Sequence, residues 1–366
     1  MTAQSNEPAG LDFLVRRDDL HECRLADALP APLEPGQALL AVDRFGLSAN
    51  NITYAVFGDA MSYWSFFPAP DGWGRVPVWG FAEVADAGDT ALEAGARVYG
   101  YFPPSTHLAV TPERVDAHGF VDAAPHRVGL PATYNSYART DADPVYDPST
   151  ESEQMLLRPL FFTSWLIDDF LDEERFFGAS AVVLSSASSK TALGLAFLLA
   201  QREGVEVIGL TSPRSVGFVE SVGVYDTVVP YEDVASLPAA DAVYVDMSGA
   251  ADVRSAVHNR YGDRLAHSAA VGATHWTRMA APPEPLPGPP PTLFFAPDRV
   301  KKRAAEWGRG GLEGRLAESW HGFVAWTPRW LEVVEGRGPE AVERAYREVL
   351  EGQTDPKVGH VLSLSA

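Results

Sequence analysis

Short apolar runs broken by Gly, Pro and Asp dominate the chain up to about Tyr146. Examples are ALLAVDRFGLSA (Ala38–Ala49), VPVWGFAEVADAG (Val76–Gly88) and ARVYGYF (Ala96–Phe102). Frequent turn signals between such runs predict short strands in an all-β or partly open barrel unit. From about Leu156 strand-like and helical segments alternate, the pattern of a parallel α/β sheet. Strands are expected at Ala181–Leu184, Val205–Leu210, Thr227–Val229, Ala242–Asp246, Ser268–Gly272 and Thr292–Ala296. Six such strands make a doubly wound sheet, with the proline-rich Pro282–Pro291 as the loop before the last.

In the tail, Ala341, Val342, Ala345 and Val349 fall on one helical face within Gly338–Gly352, and the run VLSL (Val361–Leu364) follows. Returning this last strand to the first unit is the economical topology. The expected organisation is therefore a discontinuous β domain, residues 1–150 and 320–366, around an α/β domain at 151–319. No internal repeat is visible.

Composition narrows the class. The 366 residues are 46% hydrophobic and 21% charged, which suits a folded two-domain protein. A formal charge of -20 disfavours a polyanionic partner, so nucleic acid is set aside. The single cysteine, Cys23, excludes an internal disulfide and a zinc site built on several thiolates. The opening MTAQSNEPAG has neither the basic start nor the apolar run of a signal peptide, and no window is apolar enough to span a membrane. The expectation is a cytoplasmic protein without a membrane partner.

The stretch VVLSSASSKTALGLAFLLA (Val182–Ala200) reads as strand, turn and helix. Ala192, Leu195, Ala196 and Leu199 repeat at helical spacing; Ser188 or Ser189 is a candidate N-cap, and Gly204 a stop. A helix start binds phosphate through its unpaired N–H groups and dipole. The dinucleotide fingerprint places glycines in this turn, yet here only Gly194 resembles one of them, in the helix-packing role. Ser186, Ala187, Ser188 and Ser189 instead present small side chains and hydroxyls, followed by Lys190 and Thr191. A triphosphate P-loop would need glycine at Leu184 and Ser189. A serine-lysine hydrolase motif would need serine at Ala187.

The end of the second strand discriminates between dinucleotides. NAD selects a carboxylate there, whereas a ribose 2'-phosphate selects hydroxyl and guanidinium donors. Thr211, Ser212, Pro213 and Arg214 stand in that place, favouring NADP. A polar turn with a solvated arginine is the alternative.

Taken together, PGQALLAVDRFGLSANN (Pro35–Asn51), VPVWGFAEV (Val76–Val84), PLFFTSWLI (Pro159–Ile167), the α/β core and the terminal helix and strand cover nearly the whole chain. This layout resembles the medium-chain dehydrogenase/reductase superfamily, specifically its zinc-free quinone oxidoreductase and enoyl-thioester reductase branch. The SSASSKT turn departs from the glycine-rich loop usual there. The resemblance implies a GroES-like β domain, a Rossmann domain with a six-stranded parallel sheet, NADP(H) in the cleft and a homodimer. It assigns Thr163 to the nicotinamide carboxamide, Ser212 and Arg214 to the 2'-phosphate and Tyr231 to the adenosine side. Ser248, Gly249, Gly272, Ala273 and Phe295 would lie along the cofactor. Zinc-dependent relatives carry cysteine and a GHE motif, where this chain has Asn50 and Asn51, and Gly80, Phe81 and Ala82. No metal is expected.

Without a Lewis acid, reduction needs a proton donor or enolate stabilisation. Zinc-free relatives can place a tyrosine just after the GLSANN-like segment, and Tyr54 and Tyr63 are the candidates, with Asn51 beside them. A packed ring with a satisfied hydroxyl is the alternative for each. Trp64, Phe66, Phe67, Trp73 and Trp79 could line an apolar pocket or form the β-domain core. Tyr134, Asn135 and Tyr137, near the expected domain junction, are candidate substrate contacts. The nine histidines, including His107, His267 and His275, show no metal-ligand spacing. Arg299, Lys301, Lys302 and Arg303 could attract an anionic carrier or form a solvated helix face.

The sequence thus predicts a zinc-independent NADPH-dependent reductase acting on an activated alkene, an enone or 2-enoyl thioester. The alternatives are a ketone or quinone reductase, and a non-catalytic NADP-binding regulatory or scaffold protein.

Overall fold

The computed structural model describes residues 10–28, 31–272 and 285–365, apart from the side chain of residue 309. The chain divides into two units: Met1–Leu156, Val333–Thr354 and Val358–Ala366 form one, and Leu157–Glu332 with Asp355–Lys357 the other. Among the described residues no helix is long and apolar enough to cross a membrane.

The first unit is β-rich. Its strands are β1 (Leu11–Arg16), β2 (Cys23–Asp27), β3 (Ala38–Leu47), β4 (Trp73–Gly74), β5 (Val78–Asp86), β6 (Arg97–Phe102), β7 (His107–Val110), β8 (Pro112–Asp116), β9 (Gly119–Asp122) and β10 (Ser136–Arg139). Helix α1 (Ala49–Val56) follows β3, and helix α2 (Glu151–Glu173) carries the boundary between the units. In β3 the apolar Ala38, Leu40 and Val42 alternate inward, as a half-buried strand requires. A register shift at Val42/Arg44 then changes the facing side, and Phe45, Gly46 and Leu47 are all buried. Gly46 is needed there, because a Cβ would sit 2.7 Å from the Met155 carbonyl oxygen.

The second unit holds β11 (Ala181–Leu184), helix α3 (Lys190–Leu199), β12 (Glu206–Thr211), helix α4 (Val216–Ser221), β13 (Thr227–Pro230), β14 (Ala242–Asp246), helix α5 (Ala251–Tyr261), β15 (Leu265–Ala270), β16 (Thr292–Leu293) and helix α6 (Ala296–Trp326). The six strands are parallel in the order β13-β12-β11-β14-β15-β16. This is the doubly wound Rossmann order. Strands β11 and β14 are apolar and buried throughout, as central parallel strands covered on both faces must be. Val183, Ile208, Leu210 and Tyr244 pack with Val257 of α5 in one core.

The chain then forms β17 (Glu332–Arg337), helix α7 (Pro339–Leu350) and β18 (Val358–Ser363). Strand β18 pairs antiparallel with β3, His360 opposite Leu47, and closes the order β17-β18-β3-β5-β6-β10-β9-β8. Helix α7 buries Ala341, Val342, Ala345, Tyr346, Val349 and Leu350 along one face.

Two strands differ from expectation. The fifth spans Leu265–Ala270 rather than Ser268–Gly272, its start hidden by the polar His267; Ser268 within it is paired with His258 Nε2 at 3.0 Å. The sixth spans only Thr292–Leu293, because Pro297 starts α6 and a helix tolerates proline in its first turn. In the basic cluster on α6 Lys301 is exposed, while the other three are held in ion pairs. Arg303 pairs with Asp169 at 2.7 Å, Arg299 with Asp169 and Glu173, and Lys302 with Glu173 at 2.7 Å.

Candidate functional site

In an open α/β sheet, ligands bind outside the carboxyl ends of the strands where the strand order reverses. Here that point lies between β11 and β14, adjacent in the sheet and each followed by a tight turn. Ser185, after β11, donates its hydroxyl to Asp246 Oδ1 at 2.8 Å. The same carboxylate oxygen accepts from the Ser248 hydroxyl at 2.8 Å and from the Ser248 and Gly249 N–H groups at 3.0 Å. Asp246 Oδ2 accepts from Arg254 Nε at 2.9 Å, so the buried carboxylate is balanced in charge and saturated with donors. Ser185 Oγ in turn accepts the Met247 N–H at 3.0 Å.

The turn after β11 is built without glycine. Ser186 takes the left-handed conformation at φ 52°, which costs a non-glycine residue about 1 kcal/mol. Side chains from elsewhere hold it. The Ser186 N–H donates to the Tyr231 hydroxyl at 2.9 Å, and the Tyr225 hydroxyl donates to the Ala187 carbonyl at 2.8 Å. The Ala187 N–H donates to the Leu210 carbonyl at 3.0 Å. Ser189, one of the two expected caps, is the N-cap of α3 and accepts from the Ala192 N–H at 3.3 Å. Ser188 and Thr191 are half-buried in the same turn.

Lys190, at the start of α3, reaches the segment before β18. Its Nζ donates to the Pro356 carbonyl at 3.2 Å. Burial pushes its pKa down to about 8, opposed by the charge of Asp355. Gly194 lets α3 approach α2: a Cβ would meet Ser164 Oγ at 2.9 Å, and that hydroxyl donates to the Thr191 carbonyl at 2.7 Å.

At the end of β12, Ser212 and Ser215 pair through their hydroxyls at 3.2 Å and Arg214 is exposed. Thr163 donates its hydroxyl to the Pro159 carbonyl of its own helix at 3.2 Å. Gly272 packs against Met247, whose carbonyl oxygen would lie 2.6 Å from a Cβ there. Phe295 is the exposed N-cap of α6. Ala273 and His275 lie outside the described residues.

In the first unit the candidate proton donors converge. Tyr54 of α1 and Tyr63 are both buried, with ring centroids 4.7 Å apart. Tyr134 packs edge-on against both, at 6.3 Å and 5.9 Å. The Trp79 indole N–H donates to the Tyr54 hydroxyl oxygen at 3.3 Å. Burial raises the pKa of all three phenols, which therefore stay protonated at neutral pH. Asn51 serves the backbone: its Oδ1 accepts from the Ser48 N–H at 2.8 Å and its Nδ2 donates to the Pro77 carbonyl at 2.9 Å.

Asn135 and Tyr137 lie in a second buried group. Arg127 and Asp122 form a wholly buried pair at 3.0 Å. Arg127 Nη1 reaches the Tyr134 carbonyl at 3.4 Å and Asn135 Oδ1 at 3.5 Å, and the Tyr137 hydroxyl donates to the Tyr101 carbonyl at 2.8 Å. Of the aromatic cluster, Phe66 and Trp79 line the tyrosine group, while Trp73 stacks under Arg24 at 4.1 Å. Sequence reasoning missed Ser185, Asp246, Arg254, Tyr225 and Arg127. Only Asp246, a carboxylate closing an otherwise apolar strand, carried a local signal. Among the described residues no group of three or more His, Cys, Asp or Glu side chains is arranged to hold a metal ion.

Together, the Rossmann sheet and the β unit give the fold of the medium-chain dehydrogenases/reductases. By sequence, the chain belongs to the family of proteins of unknown function DUF2855, which matches residues 45–355. No curated protein matches it. Among solved structures, CurA from Vibrio vulnificus is similar at a TM-score of 0.65 and 15% identity, over 98% of this chain and 99% of that one. CurA in complex with NADPH superposes at 0.64 with 14% identity, over 97% and 99%. The quinone oxidoreductase from Coxiella burnetii is similar at 0.57 and 12% identity, over 97% and 99%. A mutant enoyl thioester reductase from Candida tropicalis is similar at 0.56 and 10%, over 98% and 100%.

Proposed function

We propose that the chain is an NADPH-dependent oxidoreductase that reduces a small activated alkene, an enone or 2-enoyl thioester, without zinc. The observation that carries the cofactor half is the end of β12, where Ser212, Ser215 and the exposed Arg214 stand with no carboxylate among them. That donor set suits a 2'-phosphate and would reject nothing anionic. The start of α3 adds partial positive charge and the small side chains of the serine turn, and the buried carboxylate of Asp246 is already matched by Arg254. The residues present fit the dinucleotide. The relatives in fold include a structure of CurA with NADPH, which supports the same reading.

The bound cofactor would supply a hydride. Ser186 to Ser189 and the α3 start would hold its pyrophosphate, and Ser212 with Arg214 its 2'-phosphate. Tyr54 is the proposed proton donor, since its raised pKa keeps the phenol protonated and its oxygen already accepts the Trp79 N–H. The zinc-independent chemistry rests on Asn50, Asn51 and Gly80 to Ala82, which replace the ligands of zinc-dependent relatives. Reduction of a quinone or ketone by the same hydride is the second reading, supported by the similar Coxiella burnetii fold.

Thermal unfolding with NADPH and with NADH tests the cofactor. Ligand at about 100 times its Kd stabilises by about 2.7 kcal/mol, so NADPH should raise the midpoint and NADH should do so less. Arg214→Ala should abolish that preference. No shift with either nucleotide overturns the proposal. NADPH consumption with enones, enoyl thioesters and quinones then identifies the acceptor, and Tyr54→Phe should slow turnover without weakening NADPH binding.

A further inference from the structure

The turn after β11 is held by a tyrosine that no sequence motif marks. Tyr225 lies between α4 and β13, and its hydroxyl donates to the Ala187 carbonyl at 2.8 Å. Its neighbour Asp226 fixes the backbone there: the Asp226 N–H donates to the Val207 carbonyl at 2.9 Å, and Asp226 Oδ2 accepts the Val207 N–H at 2.8 Å. Strand β12 leaves room for the ring because it carries Gly209, where a Cβ would come 2.9 Å from Tyr225 Cδ1 and 3.0 Å from the Ala187 Cβ. Burial pushes the pKa of the Tyr225 phenol up, so its hydroxyl stays a donor at neutral pH. All of these residues belong to the second unit.

That bond decides which groups the turn has left to offer. Ala187 lies four residues before Thr191, so its carbonyl is the acceptor that the Thr191 N–H would reach if α3 began earlier. The Tyr225 hydroxyl takes it instead, and α3 starts from Ser189, whose Oγ and carbonyl accept the Ala192 and Leu193 N–H groups at 3.3 Å and 2.9 Å. The Ser186 N–H is engaged by the Tyr231 hydroxyl and the Ala187 N–H by the Leu210 carbonyl. Among the described residues the Ser188 and Thr191 N–H groups meet no acceptor. Resting on the NADPH reading above, we propose that Tyr225 is a positioning residue of the nucleotide turn: by holding the Ala187 carbonyl it does with a side chain what glycine backbone does in other dinucleotide folds, keeping the left-handed Ser186 in place and the Ser188 and Thr191 N–H groups available to a pyrophosphate. The turn is therefore preformed, and it takes a diphosphate without giving up its bonds to Tyr225 and Tyr231.

Amide hydrogen exchange on the wild-type chain, with and without NADPH, tests the preformed turn and needs no variant. Saturating NADPH should slow exchange at Ser188 and Thr191 and leave Ser186 and Ala187 as protected as before. Loss of protection at Ser186 or Ala187 on binding, or unchanged exchange at Ser188 and Thr191, overturns the proposal. The role of Tyr225 itself is read from Tyr225→Phe, which keeps the ring and removes only the donor. Its Kd for NADPH should rise about fivefold to tenfold, the effect of one hydrogen bond. Its Kd for adenosine 2'-monophosphate, which carries the ribose phosphate but no pyrophosphate, should stay at the wild-type value. Equal weakening of both ligands marks a general loosening of the unit and overturns the assignment, as does an unchanged Kd for NADPH; either result leaves the NADPH reading standing. A wild-type chain that binds no NADPH overturns that reading and this proposal together.

Discussion

The Ser185 hydroxyl donates to the Asp246 carboxylate at 2.8 Å, joining the ends of the two strands between which the order of the parallel sheet reverses. Dinucleotide folds shape this point with glycine backbone. In this chain a serine-aspartate pair does so, with Arg254 balancing the charge.

Removing that carboxylate should be severe. Asp246→Ala strands the Ser185 and Ser248 hydroxyls and the Gly249 N–H, and leaves Arg254 unpaired. Breaking a buried pair from one side costs about 3 to 5 kcal/mol, which urea unfolding would measure. Asp246→Asn keeps one acceptor oxygen and should lose less. Equal stability of wild type and the alanine variant contradicts the role assigned to this network.

Lys190 makes stability depend on pH. Its folded pKa, about 8, lies below its ordinary value of 10.5. Between those values the unfolded chain holds the proton more readily than the folded one, so stability from this residue rises with pH across the window and is lowest below pH 8. Lys190→Met lacks that rise. The variant should gain about 2 kcal/mol on wild type at pH 7, with the difference vanishing above the ordinary lysine pKa. Denaturant curves at several pH values, read as a difference between the two proteins, check this.

The Asp122–Arg127 pair sits inside the β unit with both side chains essentially inaccessible. Arg127 packs its guanidinium 4.7 Å from the Phe67 ring. Asp122→Ala would remove the acceptor of the Thr111 and Ala124 N–H groups and leave a buried cation, costing about 3 to 5 kcal/mol. Loss of the near-ultraviolet circular dichroism of the tyrosine cluster should accompany it, since Arg127 holds the Tyr134 carbonyl.

Gly194→Ala would place a methyl group 2.9 Å from Ser164 Oγ and 3.3 Å from Phe161. The Ser164 hydroxyl is tied to the Thr191 carbonyl, so helix α3 must shift. A loss of about 1 to 3 kcal/mol is expected. Weaker NADPH binding should appear in the same thermal-shift experiment, because the turn Ser186 to Ser189 leads directly into α3.

Local pattern was enough for much of this molecule. Strands β11 and β14, a serine cap on α3, helix α7 and the carboxylate-free end of β12 were all legible, because each depends on neighbours within a few residues. Strand β15 was legible only in part, its start hidden by polar residues beside Ser268, which is itself satisfied from a distance. The features that shape the site span the chain: Ser185 and Asp246 are 61 residues apart, Ser186 and Tyr231 45, and Lys190 and Pro356 166. A serine turn in the sequence states only which groups are available. Whether its N–H groups meet Tyr231 and whether Lys190 faces outward or onto Pro356 are decided by closure of the second unit around its sheet, since hydrogen bonds act over about 3 Å in space whatever the separation along the chain.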